Sequence, residues 1–144
     1  MLPDLKDEAA DRAERRLRDG SIVWLASVSP GGQPQVSPVG YVWDGTTILI
    51  VSRPDTPKIR NLSKNPRVAL HLDLDAEGSV LTIEGRAEVT HAPPGGAAQL
   101  TEAETAAYLA KHLDSMTWAE LTPADFFADY TSVIRIAVTR ARIY

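Results

Sequence analysis

The chain reads as a mainly β fold, a six-stranded antiparallel barrel with helices inserted between its strands. Three observations predict it. Six short β-rich segments are bounded by turn residues such as Ser29-Pro30-Gly31-Gly32 and Asp75-Ala76-Glu77-Gly78. Asp44-Gly45, between Trp43 and Thr46, is a hairpin signal, because a type I′ turn wants positive φ at both central positions. Helical patterns stand at the N-terminus and in a few insertions rather than after every strand, which disfavours a doubly wound α/β sheet.

Each element has its own warrant. Asp4 to Asp19 predicts a helix: Leu5, Ala9, Ala13 and Leu17 recur near helical spacing, and charged residues cover the rest. Gly20 is its expected stop. The apolar stripe is thin, so the helix is expected to pack on a sheet or a partner rather than form core. Ser21 to Val28 is apolar on both faces, as in a barrel strand. Gln35 to Val42 runs back, and Pro38 within it fits an edge or a bulge, since proline removes a ladder donor. Thr46 to Val51 is the next strand. Lys58 to Lys64 predicts a short helix, closed by Asn65-Pro66 because the residue before proline avoids the α region. Arg67 to Leu74 and Ser79 to Val89 form a further hairpin. Thr101-x-x-Glu104 is a capping box opening a helix to about Leu113. Thr122, with Pro123 after it, opens another in the preferred order. Thr131 to Val138 is the last strand.

Composition narrows the function classes. The 144 residues are 44% hydrophobic and 24% charged, the profile of a single globular domain spanning residues 1–144. No apolar run approaches the roughly 18 residues of a membrane span. The N-terminal segment is densely charged and lacks the apolar core of a signal peptide, so the protein is expected in the cytoplasm. With no cysteine there is no disulfide, thiolate nucleophile or thiolate metal site. A net charge of −4 argues against nucleic acid as a partner.

One segment concentrates the chemistry. A loop holding Ser52, Arg53 and Thr56 leads into the helix that opens at Lys58-Ile59-Arg60-Asn61-Leu62. Arg53, Lys58, Arg60, Lys64 and Arg67 are a third of the chain's 15 basic residues. Hydroxyls and cations gathered where a helix begins suit an anion, because the first helical N–H groups have no internal partner. A solvated surface helix explains the charge pattern equally well. His71, Asp73 and Asp75 alternate and are expected on one strand face, an arrangement open to a metal. Solvent faces carry such residues routinely, and no matching cluster stands elsewhere. No Ser/His/Asp trio emerges from the spacing.

From Pro34 to Leu70, the order and spacing of these pieces resemble the FMN-binding split β-barrel of the pyridoxamine 5′-phosphate oxidase-like superfamily. Within it they are most similar to the branch of flavin/deazaflavin-dependent oxidoreductases. The likeness spans Ser21 to Ala87 clearly and the C-terminal third in outline. It implies a six-stranded split barrel with the helix from Lys58 across its mouth. By this resemblance Ser52, Thr56, Lys58, Arg60 and Asn61 face the cofactor's phosphate and ribityl chain, with Arg53 beside them. Pro38-Val39-Gly40 then runs along the tricyclic ring and meets its polar edge. The implied cofactor is the deazaflavin coenzyme F420, with FMN as the alternative and a non-catalytic binder as a third reading. Either cofactor carries hydride chemistry itself, so no catalytic side chain is nominated. Arg53 and Lys64 are candidates for the polyglutamyl tail of F420, and surface placement explains them equally well. The resemblance also implies a homodimer with the cofactor at the subunit interface, where Trp118 and Arg140 to Tyr144 are of interest. The substrate class is an electron-poor small molecule. A basic, histidine-containing C-terminal motif expected of true pyridoxamine phosphate oxidases is not found before Tyr144.

Overall fold

A computed structural model describes residues 2–144. Four helices, α1 (Asp7–Asp19), α2 (Pro57–Leu62), α3 (Glu102–Trp118) and α4 (Pro123–Asp129), decorate one antiparallel sheet. Its strands are β1 (Ile22–Val28), β2 (Pro34–Gly40), β3 (Val42–Trp43), β4 (Thr47–Ser52), β5 (Arg67–His71), β6 (Leu81–His91) and β7 (Ser132–Ile143). They lie in the order β2-β1-β5-β6-β7-β4-β3. The two ends of that order are consecutive in the chain, and β2 returns to touch β4, so the sheet curls into a split barrel.

Seven strands stand where six were expected, because the second breaks at Tyr41. That ring is fully buried, its hydroxyl donates to the Leu17 carbonyl at 2.7 Å, and its N–H donates to Ser21. The N–H contact is the last of the β1–β2 ladder; the hydroxyl contact draws the chain toward α1 there, and Val42 and Trp43 pair with β4. The Asp44-Gly45 hairpin forms, but not as a type I′ turn. Gly45 alone adopts positive φ, at 95°, while the Asp44 carboxylate accepts the N–H groups of Thr46 and Thr47. Pro38 sits in an edge strand, opposite Trp24, where its missing N–H costs no ladder bond on the open side.

Alternation splits the apolar residues between two cores. Ile48 and Ile50 of β4 and Ile134 and Ile136 of β7 point into the barrel with Leu25, Leu70, Leu81 and Ile83. Leu49, Val51 and Val133 point outward and are covered by Tyr108 and Met116 of α3 and Phe127 of α4. β4 is therefore buried on both faces, which is why it reads as a continuous apolar run.

Helix α1 contributes more than expected: Ala13 and Leu17 are inaccessible members of the main core. It also clasps the β5–β6 loop, through Arg12 to Asp75 and Glu77 and through Arg16 to backbone carbonyls of Asp73 and Ser79. Gly20 after it is extended, with φ −71°, so it is no left-handed stop. A Cβ there would stand 2.7 Å from the Tyr41 hydroxyl; the close approach, not the helix end, calls for glycine.

β5 ends at His71, so Asp73 and Asp75 do not share a strand face with it. His71 stacks on Trp24, Asp73 accepts the Trp24 indole N–H at 3.0 Å, and Asp75 caps its own turn and meets Arg12. Asp75 and the Asp73 carbonyl serve the α1 clasp, and the His71 and Asp73 side chains hold Trp24. β7 runs on to Ile143, so Arg140 to Ile143 form a strand against β6 rather than a tail.

Candidate functional site

α2 lies over the barrel end, with Ile59 and Leu62 in the main core and contacts to β1 and β6. Pro57 occupies its first turn and Thr56 its N-cap, without a capping hydrogen bond from the side chain. The Thr56 hydroxyl instead meets the buried Ser52 hydroxyl at 3.3 Å, and Ser52 donates to the Arg53 carbonyl. This tightens the loop that delivers Lys58.

Lys58 stands at the junction of two cavities. One, of about 390 Å³, is lined by Pro38, Val39 and Gly40 of β2 and by Tyr108, His112, Ser115 and Met116 of α3, among others. The other, of about 450 Å³, is lined by Ser27, Gln35, Ser37, Thr56 and Pro57. Lys58 lines both. It is half-buried, and burial pushes its pKa below the ordinary lysine value. Among the described residues no carboxylate pairs with it. A cation held partly out of water without a counter-charge is set up to receive an anion.

A third cavity extends the groove. It shares Gln35 and Pro57 with the second and adds Arg60, Asn61, Ser63 and Lys64. Lys58 joins the first space to the second, Gln35 and Pro57 join the second to the third, and the third ends at the exposed Arg60 and Lys64.

The nine residues singled out from the sequence divide in this frame. Pro38, Val39, Gly40 and Lys58 line the first cavity, and Thr56 the second. Ser52 braces the loop from beneath. Asn61 is buried and its amide donates to Ser27 at 3.0 Å and Gln35 at 2.6 Å, fixing α2 to β1 and β2. Arg60 bonds the Asp55 carbonyl and lines the third cavity. Arg53 turns away to Asp129 at 2.9 Å and lies over the Tyr130 ring.

The α3 wall is what sequence reasoning missed. Tyr108, His112 and Met116 recur every four residues, one buried stripe of a helix, and that periodicity was the available signal. The helix runs to Trp118, past the expected Leu113, and ends in a Schellman turn whose Ala119 and Leu121 also line the first cavity. His112 donates from Nε2 to the Tyr41 carbonyl at 2.9 Å, tying this wall to the kink between β2 and β3.

The residues present fit a flavin-type cofactor: the slot between β2 and α3 has aromatic and aliphatic walls with a few polar groups, and Lys58, with no carboxylate partner among the described residues, stands at its border with the second cavity. Among the described residues no helix is long and apolar enough to cross a membrane.

Known proteins agree with this frame. The family model for pyridoxamine 5′-phosphate oxidase matches residues 9–143. The fold is similar to an F420 reductase, with 24% identity, a TM-score of 0.63, and 90% of this chain and 94% of that one covered. It is similar to a conserved hypothetical protein of Mycobacterium tuberculosis at 21% identity and TM-score 0.69, covering 100% of this chain and 88% of that one. It also resembles the heme storage protein HutZ of Vibrio cholerae at 17% identity and TM-score 0.61, covering 97% and 94%. At these identities the structural neighbours establish the fold, and the family match over nearly the whole length establishes descent: this chain belongs to the pyridoxamine 5′-phosphate oxidase family.

Proposed function

We propose that the protein is an oxidoreductase that holds coenzyme F420 and reduces an electron-poor small molecule. The observation that carries this reading is Lys58, a half-buried cation with no carboxylate partner among the described residues, at the junction of a ring-sized cavity and a second cavity that leads toward Arg60 and Lys64. Lys58 would hold the phosphate, and the β2 segment Pro38 to Gly40 would flank the ring. The third cavity, with Lys64 beyond Arg60, favours the deazaflavin over FMN, because it offers a cation to a polyanionic tail longer than a single phosphate. Arg53 plays no part in this groove; its partners are Asp129 and Tyr130.

When bound, the reduced deazaflavin supplies a hydride. The protein's share is position and shielding: α3 and α4 close one side of the ring slot with Tyr108, Met116 and Phe126, and β2 closes the other. The F420 reductase among the structural neighbours supports the reading as a fold-level analogy. We further propose a homodimer. Ile22 and Leu121 line the open cavity and are 47% and 39% exposed, and Trp118 beside them is 89% exposed. A second copy covering this rim would close the site.

Absorbance and fluorescence titrations with F420 and FMN test the cofactor. The expected result is preference for F420, with Arg60→Ala/Lys64→Ala weakening F420 severalfold and leaving FMN unchanged. Tight FMN binding with no F420 response would replace the deazaflavin by the flavin. Binding of neither overturns the site. Mixing the protein and reduced F420 with quinones, enones and tetrapyrroles then tests turnover.

A further inference from the structure

Two polar atoms converge over Gly40. A Cβ built on Gly40 would stand 3.3 Å from the Tyr108 hydroxyl, 3.4 Å from His112 Nδ1 and 3.0 Å from His112 Cε1. Neither polar atom has a hydrogen-bond partner among the described residues, and neither is sealed from solvent. Both side chains line the ring-sized cavity.

Their hydrogen-bonding characters are opposite. His112 Nε2 faces the Tyr41 carbonyl, which can only accept, so Nε2 carries the proton and neutral His112 presents Nδ1 as a bare acceptor. Tyr108 presents a hydroxyl that burial keeps protonated, since its pKa is pushed upward. The two rings are in contact, with centroids 4.4 Å apart, so each limits the other's movement. Gly40 lets α3 approach the β2 backbone closely enough to set both polar atoms at the same point of the cavity wall. A fixed donor beside a fixed acceptor at the wall of this cavity matches a ligand edge with the reverse pattern, a ring carbonyl next to a ring N–H.

We propose that Tyr108 and His112 read the lactam or imide edge of a planar heterocycle bound in this cavity, with Tyr108 donating to its carbonyl and Nδ1 of His112 accepting from its N–H. This rests on the cofactor reading above and adds the residues that give the ring its orientation. A pH signature follows. Burial, and Lys111 after it, hold the His112 pKa below its ordinary value of 6.5, the Tyr41 hydrogen bond opposing them. The other ionisable groups around the ring are Tyr108 and Lys111 of α3, Tyr41 at the kink, Lys58 of α2 and Tyr130, the residue after α4. Among these no carboxylate faces the ring to stabilise an imidazolium. Protonation would turn Nδ1 into a donor opposed to the ligand N–H, so affinity falls as pH drops through the His112 pKa, below 6.5. By linkage, ligand binding lowers that pKa further.

The test is a long-range proton–nitrogen NMR spectrum of the uniformly ¹⁵N-labelled full chain, with F420 and FMN as probes, both of which carry such an edge. His112→Gln identifies the His112 signals. The free protein is expected to show a protonated Nε2 and a bare Nδ1 at neutral pH. Saturation with a probe is expected to shift Nδ1 toward a hydrogen-bonded value and to move its titration to lower pH. His112→Gln keeps a donor for Tyr41 but no acceptor at Nδ1; Tyr108→Phe removes the hydroxyl. Each is expected to bind severalfold more weakly, as for one neutral hydrogen bond of about 1 kcal/mol, and only His112→Gln loses the acid-side fall in affinity. Should either variant fail to fold, the wild-type spectra decide. A probe that binds and leaves Nδ1 unmoved overturns this proposal and leaves the cofactor reading standing. A protonated Nδ1 in the free protein at neutral pH overturns it as well. If neither probe binds the wild type, both readings fall together.

Discussion

A lysine with four methylenes ordinarily keeps its ammonium in water, and Lys58 does so only in part. Desolvation lowers its pKa, and no carboxylate among the described residues repays that cost. Lys58→Ala therefore should not destabilise the fold: urea midpoints of the variant are expected to equal or exceed wild type. Its cofactor affinity is expected to fall about tenfold or more, from loss of one charge-assisted contact of about 1.5–3 kcal/mol. Unchanged affinity would place the phosphate elsewhere. The opposite balance holds at Asn61, whose buried amide spends its donors on Ser27 and Gln35. Asn61→Ala should act on stability first, leaving the buried Ser27 hydroxyl without its partner at about 1–3 kcal/mol, read from the same urea midpoints.

α3 is held at both ends, and each end has a measurable weakness. At its start the Glu104 carboxylate takes the Thr101 N–H and two hydrogen bonds from Arg135, at 3.0 and 2.8 Å, which join the helix to β7. The Arg135 contact, above all, lowers the Glu104 pKa from its ordinary 4.5. A carboxylate with a depressed folded pKa adds stability that is fully present above the unfolded value and is lost as pH falls through the folded one. Urea midpoints should therefore drop below about pH 4.5 more steeply in wild type than in Arg135→Met, where the folded pKa returns toward normal. Equal slopes would mean that the pair is thermodynamically silent. At its end the Schellman turn puts Glu120 at φ 59°, a left-handed position that glycine occupies without a Cβ clash. Glu120→Gly is expected to gain about 1 kcal/mol, seen as a raised melting temperature. A lower one would show that the side chain makes a compensating contact.

At the scale of the molecule, the open side of the ring-sized cavity is the feature that asks for a neighbour. Ile22, Leu121 and Trp118 expose apolar surface around it, and β2 offers a free edge beside it. The proposed dimer predicts light scattering near twice 15.7 kDa across micromolar dilution, and Trp118→Asp should shift that mass toward the monomer. A monomer at all concentrations would remove the composite site. The α1 clasp belongs to the same scale, since it ties the first helix to the β5–β6 loop in the middle of the sheet order. Burial of Ala13 and Leu17 makes α1 part of the barrel's core, so its deletion should unfold the domain rather than trim it.

Local chemistry determined the antiparallel strands, the Thr101 capping box and the cationic turn into α2, because alternation, N-cap preference and proline geometry act within a few residues. Resemblance to a family added the expectation that Pro38 to Gly40 and Lys58 share one site, and the four residues line one cavity. What only the tertiary structure decided depends on residues far apart in the chain. The break at Tyr41 follows from a hydroxyl seeking the Leu17 carbonyl across α1. Glycine at position 20 follows from that same hydroxyl, not from a helix end. Arg53 was indistinguishable from Lys58 as a cation in the sequence, and Asp129, on the distant α4, takes it out of the groove. His112 lay unremarked on a helix until α3 packed against β2 and set its Nδ1 beside the Tyr108 hydroxyl over Gly40. Propensity and spacing reach about one turn along the chain, whereas a binding wall is made by side chains that folding alone brings within hydrogen-bond range.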